Sequence, residues 1–470
     1  MKQSSQGQIS VTLLFFAGLT VVLVSGFVFL ASSFLQLSVR SLNKVRAFST
    51  AEAGIEYYRW HLAHAPQDFE DGTAHGGPYI HGYYDKDGAL IGNFSLTVTP
   101  PPAGSTVVTI RSSGSSASDS TIVKAIEVKM AIPSFAKYAW ALNDNVFFGS
   151  TAEVFGQIQS NAGIHFDGIA HNSVASALTT YTDPDTAQNQ WAVYTTKAPA
   201  DPQPPTALPS RPDVFMAGRS TGVPAIDFTK FTQDLSSLKS LAQASGTYFG
   251  SSTASGYDLS LATSGIFTVY KVTALVAAPS GCNDTGQSGW GTWSVQTETV
   301  VATGTIPMNG NLFFEDNLWV RGKINNKRVT IASGRFPDNP GTRSSLTVNN
   351  SVTYTNYNSS DTIAFLAQNN FNVGLMSDDN LRIDGAMVAI NGRIGRYSYP
   401  NSECGSTRTR ALLTTDGMLA SALRPAFLYS SSNGYQSRNY NYDANLLYAP
   451  PPSFSLTTDQ YSIISWKEIQ

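Results

Sequence analysis

The chain has 470 residues, of which 42% are hydrophobic and 13% are charged, and its formal net charge is −3 at pH 7. The charged share is about half of that usual in soluble domains, so Ser, Thr, Asn, Gln and Gly must supply most of the polar surface, as in secreted β-rich proteins. The sequence has no basic block and no acidic tail, which argues against nucleic-acid binding.

The longest apolar segment lies at the N-terminus. Residues 9–37 contain no charge and no proline, and the first proline of the chain is Pro66. Since about 20 apolar residues cross a bilayer as a helix, we predict one helix over residues 8–65 with a transmembrane first half. Its second half has an apolar stripe that suits packing under a folded head, formed by Ala51, Ile55, Tyr58 and Leu62. The apolar region is longer than that of a secretory signal, and a simple membrane anchor is the alternative interpretation.

A small antiparallel sheet is predicted over residues 66–132. Glycine and proline mark a loop up to residue 88, and beyond it Phe94, Leu96 and Val98 alternate with polar residues. Further strand patterns occupy residues 107–110 and 122–130. A sheet of this kind, laid on the second half of the helix, would complete a small α+β domain.

Residues 133–470 have a different pattern, in which short apolar strands end in Gly or Asn. Repeated short strands of this kind indicate a β-solenoid, and their irregular spacing leaves a β-sandwich open. Residues 171–304 depart from the pattern and are predicted to be an insertion. Within it, Asp227 precedes one amphipathic helix, with Phe231, Leu235 and Leu238 at helical spacing. The predicted fold class is therefore α+β with a large β-rich head.

The two cysteines are Cys282 and Cys404. A small, even number in an exported protein favours one disulfide, and two separate free thiols remain the alternative.

The N-terminal residues resemble those of PilX-type minor pilins. The resemblance rests on a polar leader ending at Gly7, the long apolar helix, and the sequence Ala-Glu-Ala-Gly-Ile-Glu at residues 51–56. It implies that a prepilin peptidase removes leader residues 1–7 by cutting between Gly7 and Gln8. Thr12 then occupies the fifth mature position, where most major pilins have a glutamate. This absence resembles tip-located minor pilins and the K-type pseudopilin of type II secretion.

The C-terminal segment resembles the ends of large PilX-like pilins of ultra-small bacteria. The matching stretches are residues 434–443, 446–454 and 464–468. From the residues alone, a capping strand with an aromatic clamp that closes the open end of the solenoid is the simpler interpretation.

No catalytic pattern was found, and no cofactor or metal is predicted. Four histidines at 61, 64, 75 and 81 lack the accompanying ligands of a metal site. The pairs Asp183/Asp185 and Asp378/Asp379 lack the other oxygen ligands that calcium needs, so turns are the expected structure there. We therefore predict that the protein is not an enzyme.

The combined hypothesis is a single-pass minor pilin with its head outside the cell membrane, later part of an extracellular filament. Its partners would be the membrane, other pilin subunits contacted through the N-terminal helix, a prepilin peptidase and a surface ligand of the head. The positive charges at Arg40, Lys44 and Arg46 follow the apolar run and weakly oppose this orientation. The alternatives are a K-type pseudopilin and an uncleaved, membrane-anchored β-solenoid that binds surface polysaccharide.

Overall fold

A computed structural model of the protein describes residues 6–102 and 104–469, and the chain forms two compact units. The first unit contains the residues up to Pro102, then Val107–Ile132 and the residues from Asp459 onward. The second unit contains Pro133–Thr458 together with residues 104–106.

The first unit combines one long helix with a five-stranded antiparallel sheet. Helix α1 spans Gln6–His64 without interruption. The sheet contains β1 (Tyr79–Tyr84), β2 (Leu90–Thr99), β3 (Val108–Ser116), β4 (Asp119–Ala131) and a C-terminal strand (Ser462–Ile469), paired in that order. The predicted helix and small antiparallel sheet are both present, although β1 lies in the segment that was predicted to be a loop.

The core of the first unit lies between the second half of α1 and one face of this sheet. Strand β2 contributes Phe94 and Leu96, and strand β3 contributes Val108 and Ile110, at the alternate positions that point to one face. These side chains are buried against the apolar stripe of the helix. The period of two in the sequence therefore corresponds to a sheet with one covered face.

The C-terminal strand differs from its predicted position in the β-rich head. It pairs antiparallel with β4, and Trp466 lies opposite Val128 while its ring meets the Phe48 ring of α1 at 6.0 Å. Without it, β4 would be an edge strand with unpaired backbone groups. The segment from residue 459 thus belongs to the first unit and does not cap the head.

The second unit is β-rich and also contains helix α2 (Thr229–Ser245). Its first strands are β5 (Tyr138–Leu142), β6 (Val146–Phe148), β7 (Glu153–Val154), β8 (Gln157–Ser160), β9 (Ile164–Phe166), β10 (Ile169–Ala170), β11 (Val174–Ser176), β12 (Thr180–Thr182), β13 (Asn189–Trp191), β14 (Val193–Tyr194) and β15 (Arg219–Thr221). After α2 come β16 (Thr247–Phe249), β17 (Gly256–Leu261), β18 (Ile266–Leu275), β19 (Val295–Thr305), β20 (Asn311–Phe314), β21 (Leu318–Lys323), β22 (Arg328–Ser333), β23 (Leu346–Thr347) and β24 (Val352–Thr353). The last are β25 (Thr362–Ala367), β26 (Phe371–Val373), β27 (Asn380–Arg396), β28 (Thr409–Ala426), β29 (Leu428–Ser430) and β30 (Asn433–Tyr442).

A long parallel ladder organises this unit. Its strands pair in the order β16, β20, β22, β25, β27, β28, β5, β8, β11, β15. A second stack pairs β28 with β30, β30 with β7 and β7 with β10, again in parallel. Strands β6, β9 and β14 form a separate three-stranded parallel sheet.

The order of strands in the ladder is a circular permutation of their order in the chain. Strands β5, β8, β11 and β15 come first in the sequence, yet they follow β28 in the ladder. The chain therefore begins the ladder near its middle, with β5. Strands β16 to β28 then form the other part of the ladder, whose last strand, β28, pairs with β5. The two ends of Pro133–Thr458 lie side by side, because the Thr457 amide donates a 3.0 Å hydrogen bond to the Pro133 carbonyl.

Both faces of the ladder are buried. One face contributes Leu312, Phe314 and Phe365 to the largest apolar core, and the other contributes Phe313 and Leu366 to a second core beneath α2. Helix α2 covers this second face with Phe231, Leu235, Leu238 and Ala242. The predicted amphipathic helix is thus present. Parallel pairing is one property of a β-solenoid, but a complete solenoid stays a prediction.

The predicted insertion at 171–304 includes elements of the ladder itself. Strands β11, β15 and β16 all pair within the parallel ladder. Strands β17, β18 and β19 form an antiparallel meander. Because β11, β15 and β16 are each only three residues long, their sequence carries little periodic signal.

Candidate functional site

The first half of α1 is a continuous apolar surface. Its large side chains from Ile9 to Leu37 are exposed, and Phe15, Val22 and Phe29 are about two-thirds exposed or more. Among the described residues, this is the one helix long and apolar enough to cross a membrane. An exposed Phe or Leu side chain costs roughly 1.5–3 kcal/mol relative to a buried one. This surface therefore requires lipid or other apolar helices around it.

The residues of the predicted cleavage site lie at the start of this surface. Gly7 and Gln8 belong to the first turns of α1, and Thr12 lies one further turn along with its side chain exposed. Residues 1–5 of the predicted leader lie outside the described residues. Thr12 thus places a neutral hydroxyl on the apolar surface of the helix, at the position where most major pilins have a glutamate.

The second half of α1 is anchored in the first unit. Ala51, Tyr58 and Leu62 have no exposed surface, and Ile55 is 3% exposed. The Tyr58 hydroxyl donates a 3.2 Å hydrogen bond to the Asp68 carbonyl. The four residues of the apolar stripe therefore lie together on one buried face, and they hold the helix to the sheet.

A polar contact marks the beginning of the buried part of α1. The Asn43 side chain is 4% exposed, and its Oδ1 accepts hydrogen bonds from Ser118 Oγ at 2.8 Å and Ser116 Oγ at 3.3 Å. Burying an amide without partners would be costly, so these hydroxyls favour one register of helix against sheet. Sequence analysis did not identify Asn43, because its partners lie more than 70 residues away.

Small residues allow a close approach between α1 and the sheet. A Cβ added to Gly54 would lie 2.9 Å from the Phe94 ring and would overlap the Ser112 hydroxyl. Glycine at this position of the Ala-Glu-Ala-Gly sequence therefore has a packing role. The second half of α1 and the sheet are therefore tightly packed against each other at Gly54.

The two cysteines, Cys282 and Cys404, form a disulfide in the second unit with a Cα–Cα distance of 4.7 Å. Both are buried beside Leu375, Tyr397 and Tyr399. The bridge joins the loop between β18 and β19 to the loop between β27 and β28.

Two of the four histidines of the first unit, His61 and His81, pair with carboxylates, whereas His64 and His75 contact backbone carbonyl groups. His81 Nε2 lies 2.7 Å from Asp71, and His61 Nε2 lies 3.2 Å from Asp68. Within the described part of the chain, no group of three or more His, Cys, Asp or Glu residues is placed to hold a metal.

One of the predicted acidic pairs, Asp183/Asp185, forms a turn, whereas Asp378 and Asp379 accept hydrogen bonds from amides of distant segments and not within the expected turn. The Asp183 carboxylate accepts from the Asp185 amide at 2.7 Å, and the Asp378 carboxylate accepts from the Ser351 amide at 3.0 Å. Asp185 also forms an ion pair with Arg424. These contacts account for the carboxylates as structural groups.

No protein-family model and no curated protein matches the sequence. Among solved structures, the chain is similar to the competence-associated pilin ComZ from Thermus thermophilus, with 12% sequence identity and a TM-score of 0.33. The match covers 91% of this chain and 98% of that chain. Because neither the identity nor the superposition is close, the function proposed for this chain rests on its own residues.

Proposed function

We propose that this protein is a minor, PilX-like subunit of a type IV pilus-like filament that displays a large β head for adhesion or another surface interaction. One observation carries the proposal. Helix α1 is exposed and apolar over its first half, and its second half is buried in a folded unit without a break between them. A subunit of this kind can be stored in a membrane and later transferred into a bundle of similar helices.

The energetics of transfer are set by the exposed half of the helix. Lipid tails and neighbouring apolar stalks are both suitable surroundings, so exchange between them need not expose Phe15 or Phe29 to water. Thr12 carries no charge that would need a partner in this environment. We therefore place the subunit at the tip or the base of a filament, where it need not accept a full set of neighbours.

The topology supports a display role for the second unit. The chain leaves the first unit after Ile132 and returns to it at Asp459, so the small sheet is completed by a strand that follows the head in the sequence. We propose that the head is a β-solenoid, supported by its parallel ladders, with a structural rather than an enzymatic role. Its location would be the outer side of the cell membrane and then the extracellular filament.

Processing by a prepilin peptidase is tested by the N-terminal residue of the protein recovered from its native envelope. Mass spectrometry should find a mature chain beginning at Gln8, with or without methylation. A chain that still begins at Met1, or that is cut near residue 30, would contradict the pilin mechanism. It would favour the uncleaved, anchored protein that binds surface polysaccharide.

A K-type pseudopilin would give the same N-terminal residue, so a second measurement is needed. Cross-linking through a cysteine placed at Thr12 should capture pilus subunits in cells that carry pili. Capture of secretion-system subunits in their place would assign the protein to type II secretion.

A further inference from the structure

The second unit contains a cleft of about 840 Å³ beside the edge strand β6. Strand β6 is the edge of the sheet with the order β14, β9, β6, and the wall of the cleft called opposite below consists of the lining residues 424–429. Trp140 of β5 and residues 424–426 of β28 both line the cleft, and these two strands pair in the long ladder. The cleft therefore lies at the junction where the permuted halves of the ladder meet.

Aromatic rings are exposed in this concave surface. Phe147 is 45% exposed, and its ring lies 4.4 Å from that of His165. Tyr429 on the opposite wall is 41% exposed. Their positions are fixed, because Tyr429 donates a 2.9 Å hydrogen bond to the Arg396 carbonyl and His165 is held by Thr196. The cleft thus offers preformed apolar faces of the size of a six-membered ring.

The lining of the cleft is electropositive. It contains Arg393, Arg424 and Arg438, while Asp185 is the one carboxylate among the described lining residues. Arg424 is neutralised by a two-pronged contact with Asp185, at 3.0 and 2.6 Å. Arg438 donates to the carbonyl oxygens of its own strand, at 2.9 Å for the nearer one. Arg393 and Arg438 therefore have no carboxylate partner among the described lining residues.

Arg393, which lines the cleft, is held in place by its neighbours. Its Nη1 donates to the Arg396 carbonyl at 2.9 Å and contacts the Tyr429 hydroxyl at 3.1 Å, and its guanidinium lies 4.4 Å from the centre of the Tyr397 ring. Its Nη2 is buried, so the ligand-facing property of this guanidinium is its positive charge and not a free donor. A carboxylate brought into the cleft would supply the counter-charge that the described lining lacks beside Arg393.

We propose that this cleft binds a carboxylate-bearing sugar, such as a hexuronate unit of an acidic polysaccharide. A pyranose ring presents a C–H face to Phe147 or Tyr429, and its carboxylate suits the planar donors of arginine. Both features occur in one residue of such a glycan. An acidic peptide is the less suitable ligand, because β6 offers an edge only three residues long for strand pairing. This assignment rests on the proposed display function of the head.

The test is binding of tetragalacturonate to the full-length protein in a detergent without a sugar headgroup, measured by calorimetry and saturation-transfer NMR. We expect saturable binding in the range of about 0.1–1 mM. The fully methyl-esterified tetramer has the same rings without the charges, and it should bind roughly tenfold more weakly or worse. Tetraglutamate has the charges without the rings and should bind no better than the ester.

Two variants test the two parts of the site. Arg438→Gln removes a positive charge, and Phe147→Ala removes a ring face, so each should weaken binding roughly tenfold. Phe155→Ala is the matched aromatic control, since Phe155 is 53% exposed and its ring lies 4.2 Å from His171 away from the cleft. Arg410→Gln is the matched cationic control, because Arg410 also donates to a backbone carbonyl. Both controls should bind tetragalacturonate as the unchanged protein does.

Three results would overturn the assignment: no binding at about 10 mM, equal binding of the ester, or equal loss in the control variants. Preferential binding of tetraglutamate would assign the cleft to an acidic peptide. None of these results changes the N-terminal residue of the mature protein. Failure of the glycan site is thus distinguishable from failure of the pilin mechanism.

Discussion

Gly114 of strand β3 lies directly against the backbone of Ala51 in helix α1. A Cβ atom added to Gly114 would lie 2.9 Å from the Ala51 Cα, and it would overlap the Ala51 nitrogen and the Ala47 carbonyl oxygen. The obstructing atoms belong to helical backbone and cannot move by changing a side-chain rotamer. The distance between stalk and sheet is therefore set by the absence of a side chain at residue 114.

Replacing Gly114 by alanine should loosen this joint. Because the helix must move away from the sheet, we expect a destabilisation of about 1–3 kcal/mol in the first unit. Hydrogen exchange of the β3 amides, measured by mass spectrometry in micelles, should become faster, while exchange in the second unit stays unchanged. Gly76→Ala is the control, since a Cβ there meets no atom within 4 Å. Equal exchange in both variants would contradict the close-packing account.

Removal of the C-terminal strand should expose the edge of β4. A chain that ends at Thr458 lacks the pairing of residues 462–469 with β4 and the contact between Trp466 and Phe48. We expect faster hydrogen exchange in β4 and concentration-dependent association in micelles, because an unpaired edge can pair with another chain. Light scattering and exchange mass spectrometry measure these effects.

Lys467→Gln separates strand pairing from charge. It removes only the 2.8 Å ion pair with Glu127, in which the lysine side chain is 56% exposed. Ion pairs as exposed as this one contribute little to stability, so this variant should remain monomeric with protected β4 amides. If it behaves like the truncated chain, the ion pair and not the strand would protect the edge.

The sequence predicted those parts of the fold that depend on neighbouring residues. Ala51, Ile55, Tyr58 and Leu62 recur on one face of a helix, and their burial follows from that spacing. The α2 helix was visible for the same reason, because Phe231, Leu235 and Leu238 recur at helical spacing and are all buried. Local periodicity thus identified elements and their buried faces.

Long-range pairing could not be predicted in the same way. The C-terminal strand pairs with β4 across more than 300 residues, and β28 pairs with β5 across a similar separation. Arg424 and Asp185, which meet at the cleft, are 239 residues apart. No local pattern specifies such partners, so the permuted ladder and the cleft were both missed. Phe147 lies in a short apolar run with Val146 and Phe148, which predicts a strand and not a binding surface.

The disulfide should stabilise the loop between β18 and β19. This loop also packs through Trp290, whose Nε1 donates a 2.9 Å hydrogen bond to the Ser398 carbonyl. The bridge closes 122 residues of sequence separation. In the Cys282→Ser/Cys404→Ser variant we expect a loss of about 2–4 kcal/mol in the second unit. Limited proteolysis with peptide mapping should show new cuts within residues 276–294.

Reduction of the unchanged protein provides the control for this prediction. If the covalent link is responsible, the reduced protein and the double-serine variant should give the same new cuts. Cuts in the variant alone would assign the effect to the serine substitutions. The absence of new cuts in both would show that the aromatic contacts hold the loop without the bridge.

A carboxylate pair beside β17 should make the stability of the second unit depend on pH. Asp258 and Glu298 share Arg321, whose Nη2 lies 3.2 Å from Asp258 and 2.7 Å from Glu298. Burial, opposed by Arg321 and assisted by the neighbouring Glu298 carboxylate, raises the pKa of Asp258 to about 7. Asp258 thus binds a proton more tightly in the folded than in the unfolded protein, where its pKa is about 3.9.

The sign of the effect follows from this difference. The stabilising contribution of the proton is complete below about pH 4 and is lost as the pH rises through about 7. The unfolding temperature of the second unit should therefore fall between pH 5 and pH 8. Asp258→Asn keeps a neutral side chain at every pH, so its unfolding temperature should fall less over the same interval. Tryptophan fluorescence of the full-length protein in micelles measures both curves.

Asp213→Asn is the matched control for the pH profile. Its hydrogen bond with Arg211 lowers the pKa of Asp213 to about 2, against the effect of burial. Asp213 is therefore ionised throughout the interval from pH 5 to pH 8, and its replacement should shift the whole curve without changing its slope. Parallel curves for the unchanged protein and Asp258→Asn would show that Asp258 is already ionised at pH 5. That result would mean that Arg321 outweighs both burial and Glu298.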